Sequence, residues 1–72
     1  MSKAIQSDPQ VMHGTPCFAG TRVPVRTLFD WIEEGNTIDF FLEQFPSVRP
    51  EQVVAVLQDA SRRTVEEADG PR

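Results

Sequence analysis

Between Gly14 and Val25 the chain reads Gly-Thr-Pro-Cys-Phe-Ala-Gly-Thr-Arg-Val-Pro-Val, and no other stretch limits its folding as tightly. Two β-capable pairs, Cys17-Phe18 and Arg22-Val23, flank Ala19-Gly20-Thr21. With glycine first, Gly20-Thr21 reads as a two-residue type II′ turn, so the stretch predicts a hairpin. Pro24 fixes φ and removes a backbone donor, which stops the strand. Proline also suits the first turn of a helix, so a helix start is expected immediately afterwards. The stretch carries no catalytic dyad, no phosphate loop and no metal-ligand spacing. Gly14 and Gly20 lack the Gly-Lys-Ser/Thr ending of a phosphate-binding loop and read as turn residues. A folding and pairing module of this kind points to binding rather than catalysis.

The chain has 72 residues, enough for one domain. A domain of this size buries only about 60% of its unfolded surface and is marginal alone. Its single cysteine, Cys17, excludes an intrachain disulfide. His13 and Cys17 are the only soft ligands, and a structural metal site usually needs four, so no metal and no cofactor is expected. Oligomerisation is the remaining common support, which predicts a homodimer through the exposed edges of the N-terminal hairpin. One unpaired cysteine fits a reducing compartment. The N-terminal residues lack an apolar signal core, and no apolar run approaches the ~18 residues that span a membrane. The expectation is a soluble cytoplasmic chain with no membrane partner.

Residues 1–24 read as a β-arm and hairpin, 25–66 as a three-helix unit and 67–72 as a frayed tail of a single domain. In the arm, Ala4-Ile5-Gln6 is a candidate strand, Asp8-Pro9 a turn, and Val11-Met12 a second apolar pair. The first helix is expected from Val25 to Glu34, with Val25, Leu28, Phe29 and Ile32 on its apolar stripe, Trp31 off it, and Gly35 as its stop. The second is expected from Ile38 to Gln44 with Thr37 as N-cap. Its stripe is Ile38, Phe41, Leu42 and Phe45, with Phe40 outside. The third begins at Pro50 and carries Val53, Val56, Leu57, Ala60 and Thr64 to at least Arg63. The fold class is mainly α, three helices behind a short β-arm.

Ile5, Asp8-Pro9, Gly14-Thr15-Pro16, Gly20-Thr21-Arg22-Val23-Pro24-Val25, Leu28, Glu34-Gly35, Phe45-Pro46-Ser47-Val48 and Glu51-Gln52-Val53 together resemble the family known as domain of unknown function 433. The resemblance spans residues 5–62, and Gly-Thr-Arg-Val-Pro-Val is its most specific string. It implies a homeodomain-like helix-turn-helix unit with an added N-terminal arm. Members are classed as predicted antitoxins, often encoded beside a PIN-like nuclease. The resemblance therefore implies a chain that silences such a toxin and, through a helix-turn-helix, represses its own operon. One position departs from the family pattern. Arg49 stands before the third helix, where the family usually places Ser or Thr, so the cap is expected to be weaker by ~1 kcal/mol. The substitution also sets a positive charge on the turn.

Charge distribution divides the candidate sites. Residues 1–26 carry Lys3, Arg22 and Arg26 against Asp8, whereas 27–48 carry Asp30, Glu33, Glu34, Asp39 and Glu43 with no base. Nucleic acid would be repelled by that middle. On the third helix, Gln52, Gln58 and Arg62 lie off the apolar stripe, and Gln and Arg read adenine and guanine edges. With Arg49 and Arg63 they form the candidate contact to double-stranded operator DNA. The bland reading of Arg62-Arg63 is cations favoured by the helix C-terminal dipole. Ile5, Phe18, Arg22 and Trp31 are the candidate dimer or partner contacts. For Arg22 the favoured reading is a brace between the hairpin and the acidic helices, because five carboxylates lie in the next two elements. Trp31 is expected at an interface and Phe40 in the core. His13 and Cys17 are a conceivable nucleophile pair, yet nothing nearby fixes them, and Cys17 reads as a small hydrophobe. The alternative to an antitoxin is a homodimeric protein-interaction module without DNA binding. No residue pair has a spacing that demands chemistry, so no enzyme is expected.

Overall fold

The Gly-Thr-Arg-Val-Pro-Val string folds around a turn one residue earlier than the sequence suggests. The computed structural model describes residues 4–10 and 12–68. In it Thr21 N–H donates to the Phe18 carbonyl at 3.0 Å, closing a four-residue turn with Gly20 in the third position at φ 77°. A glycine with positive φ in that place marks a type II turn, not the expected type II′. Thr21 holds the turn shut. Its buried hydroxyl donates to the Phe18 carbonyl at 2.8 Å and accepts from Val23 N–H at 3.0 Å.

Strand β1 (Ile5–Gln6) pairs antiparallel with β2 (Cys17–Phe18), placing Ile5 opposite Phe18 and Gln6 opposite Cys17. On its other side β2 meets the chain after the turn. Phe18 N–H donates to the Val23 carbonyl and Val25 N–H to the Pro16 carbonyl, each at 3.0 Å. Arg22-Val23 is therefore no regular strand. Pro24 cannot donate to a ladder, and it bridges Cys17 only in isolation. The loop between the strands includes a tight turn at Met12–Gly14, tied back where Ser7 Oγ donates to the Gly14 carbonyl. Val11, half of the expected second apolar pair, lies outside the described residues, as do 1–3.

Pro24 stands at the N-cap of α1 (Val25–Glu33), with the extended backbone a cap requires. The helix ends as Gly35 predicts. Gly35 N–H bonds to the Ile32 carbonyl and Asn36 N–H to the Trp31 carbonyl, with Gly35 at φ 93°. This is the Schellman pattern, which satisfies two otherwise orphaned carbonyls. Thr37 caps α2 (Ile38–Gln44) by accepting from Phe40 N–H at 3.1 Å. Residues 45–49 then lead into α3 (Pro50–Ala68), which continues past the expected tail boundary; 69–72 lie outside the described residues.

The expected weak start of α3 is repaired from inside the helix. Arg49 N–H donates to Gln52 Oε1 at 2.8 Å, the half of a capping box that does not need Ser or Thr. The Gln52 amide nitrogen donates in turn to the Ala19 carbonyl at 3.0 Å. One side chain thus ties the start of α3 to the turn of the arm.

The core joins all of these elements. Phe18, Leu28, Phe41, Val48, Val53 and Val56 are buried together, with Ile5, Val25, Trp31, Phe45 and Leu57 partly buried against them. Three stripe assignments shift, the first being Ile38, which is exposed at the start of α2. Ile32 is exposed and Trp31 packs inward, so α1 turns its Val25–Leu28–Trp31 edge to the core. Thr64 is exposed and returns its hydroxyl to the Ala60 carbonyl, because α3 has left the core by that point.

Candidate partner-binding surfaces

The five proposed DNA contacts do not form one continuous basic face. Arg49 is exposed at the start of α3, with no carboxylate within 4.0 Å among the described residues. Gln52 is half-buried, and its amide is engaged at both ends as above. Gln58 is exposed midway along the helix. Arg62 and Arg63 both reach Asp59, at 2.7 and 3.3 Å, so one carboxylate offsets part of both charges. At ~1.5 Å of rise per residue, Arg49 and Arg62 stand roughly 20 Å apart. Between them lies a shallow depression lined by Val54, Leu57, Gln58 and Ser61, with Arg62 at its end.

The arm residues separate by burial. Phe18 has no exposed surface and packs on Phe41 with ring centroids 6.2 Å apart, so it is a core residue and not a partner contact. Cys17 is buried as well, so both faces of the very short β2 are covered and no alternation marks Phe18 as core. Ile5 is partly buried against the same core. Arg22 is exposed beside a shallow recess with Gln6, Thr21 and Ser47. Among the described residues it has no carboxylate within 4.0 Å, so it does not brace the arm against the acidic helices.

Trp31 and Phe40 exchange their expected places. Trp31 is half-buried, stacking edge-on against Phe41 at 5.9 Å and Phe45 at 5.2 Å. Phe40 is 42% exposed, with its ring 5.7 Å from Trp31. The reason is that Phe41, its neighbour, takes the inward position on α2 and has no exposed surface. The remaining exposed large apolar side chains among the described residues are Ile32, Ile38, Val54 and Val65.

Cys17 is buried, its Sγ donating to the Thr15 carbonyl at 3.3 Å, while His13 is exposed. The pair is therefore divided between interior and surface. No group of three or more His, Cys, Asp or Glu side chains placed to hold a metal ion occurs among the described residues. No helix among them is long and apolar enough to cross a membrane.

The family described as protein of unknown function (DUF433) matches residues 5–58. An uncharacterized protein, y4eO, of Sinorhizobium fredii (strain NBRC 101917 / NGR234) is 35% identical over 49 residues, which is 68% of this chain. That stretch is 22% of the relative, so the chain spans only a small part of its length. No solved structure matches the chain.

Proposed function

We propose that this chain, which belongs to the DUF433 family, is an antitoxin-like binding protein that neutralises a cognate PIN-like nuclease toxin. The observation that supports this most directly is its surface. Ile32, Ile38, Phe40, Val54 and Val65 stand exposed on three short helices of a 72-residue chain. Among them Phe40 lies 5.7 Å from the half-buried Trp31, and aromatic side chains are the type enriched at protein interfaces. The chain acts by occupying its partner, as a homodimer in the cytoplasm, and catalyses nothing itself.

Operator binding is the second reading, and one arrangement favours it. α2 and α3 are joined through residues 45–49, and Arg49 is free of ion pairs at the leading end of α3 among the described residues. In a helix-turn-helix the leading end of the second helix enters the major groove. The acidic α1–α2 region opposes strong binding, so the protein contact comes first and repression second.

Co-expression with the product of the adjacent gene tests the reading. A nuclease that copurifies with this chain and loses activity at equimolar chain supports it. A neighbour with no nuclease activity, or one fully active in excess chain, overturns it.

A further inference from the structure

The outermost ring of the aromatic stack is a preformed anchor. Phe41 and Phe45 sit 4.8 Å apart at its base, Trp31 lies edge-on to both, and Phe40 covers Trp31 from outside. The backbone beneath is fixed. Thr37 accepts from Phe40 N–H, and Asn36 donates to the Trp31 carbonyl through both its backbone N–H and its Nδ2, each at 3.0 Å. An exposed aromatic on so constrained a base loses little conformational freedom on binding.

The charges around it select the occupant. Glu34 follows Trp31 by three residues and Glu43 follows Phe40 by three, spacings that set them beside those rings. Asp39 precedes Phe40 and Glu33 precedes Glu34. None of the four has a cation within 4.0 Å among the described residues; only Asp30 in this region is paired, to Arg26. Residues 27–48 contain no Lys, Arg or His. A second copy docked face to face would bring the same carboxylates against these. Phosphate backbones and anionic bilayers would be repelled in the same way. An apolar side chain flanked by Lys or Arg meets both features.

We infer that the Phe40–Trp31 face of α1 and α2 is the docking seat for a basic amphipathic segment of a partner protein. An apolar residue of that segment packs on Phe40, and its flanking cations lie against Glu34 and Glu43. The inference rests on reading the chain as a protein-binding module, and it specifies which surface binds and what chemistry is bound.

Trp31 is the only tryptophan in the chain, so its emission reports on this seat directly. The probes are a Leu/Lys amphipathic helical peptide and its Leu/Glu counterpart, titrated into the full chain. Saturable blue-shifted Trp31 emission with the Lys peptide and none with the Glu peptide is expected. Phe40→Ser, at an exposed position, weakens the Lys peptide at least about tenfold. Glu34→Lys with Glu43→Lys reverses the preference between peptides, whereas Glu66→Lys, on α3, changes neither. The inference is overturned by binding that ignores Phe40→Ser, by equal loss on Glu66→Lys, or by a chain dimer that Phe40→Ser disperses. Neutralisation of the nuclease is scored separately. Peptide failure with neutralisation intact removes this seat alone, and a failed neutralisation assay with peptide binding intact removes the toxin reading alone.

Discussion

Gly20 sits at φ 77° in the third position of the turn that Thr21 N–H closes onto the Phe18 carbonyl. Glycine was required there for a positive φ, and it has one, yet Thr21 decided which four residues form the turn. Its hydroxyl bonds back to Phe18, a use of threonine that competes with regular strand pairing. A Cβ on Gly20 would meet nothing within 4 Å, so substitution costs only backbone strain. Gly20→Val is expected to destabilise by ~1–2 kcal/mol, and Gly20→Asn by clearly less, because Asn tolerates that region. Urea unfolding midpoints of the two variants give the comparison; equal midpoints would remove the turn assignment. Gln52 lies off the apolar stripe as a base-reading side chain would, and no local pattern shows that its amide reaches Ala19, 33 positions away. Gln52→Leu leaves Arg49 N–H and the Ala19 carbonyl without these partners. The expected loss is about 1–2 kcal/mol of stability, measured by the same unfolding experiment. A variant as stable as the parent would show that solvent replaces both bonds.

Elements were more legible than faces. All three helices start where the sequence placed them, because proline, threonine and glycine act locally through caps and fixed dihedrals. Which side of each helix turns inward depends on neighbours, and here the 3.6-residue stripe misled. Ile32 and Trp31 compete for the α1 core edge, and Trp31 occupies it because Phe41 and Phe45 of the next segment offer it ring contacts. Phe18 shows the same dependence on neighbours, since a two-residue strand buried on both faces carries no alternation to mark it as core. The α2 cap can be tested in isolation from such packing. Thr37 is exposed and its hydroxyl accepts from Phe40 N–H, so Thr37→Ala should cost ~1 kcal/mol and Thr37→Asp should retain most of the cap. Thermal melts followed by circular dichroism distinguish them. Because the same cap sits under Phe40, Thr37→Ala should also loosen the aromatic anchor, visible as weaker Lys-peptide binding.

For the whole molecule, size and charge set what association is possible. A core built around six buried side chains is small, which keeps association the expected support for the fold. With Phe18 turned inward, the arm offers a partner its outer β1 edge and Ile5 rather than an apolar strand face. Sedimentation at low micromolar concentration should give twice 8.1 kDa. A folded species of single mass would refute the dimer. Operator binding is the stricter test, because it must overcome a net charge of −4. Arg49 is free of ion pairs among the described residues, whereas Arg62 and Arg63 share Asp59. Removing Arg49 should therefore flatten the dependence of log K on log salt by roughly 0.9 for one lost phosphate contact. Arg62→Ala or Arg63→Ala should each flatten it by a similar amount, since either removal leaves the remaining arginine matched one to one by the Asp59 carboxylate. Asp59→Asn should act in the opposite direction, releasing both arginines and raising affinity. Titrations of DNA from upstream of the gene at about 50 and about 200 mM salt separate the cases. A rise in affinity on Asp59→Asn places the distal end of α3 against phosphate. Binding that is absent at both salt concentrations, or unmoved by all four substitutions, leaves protein association as the role of this surface.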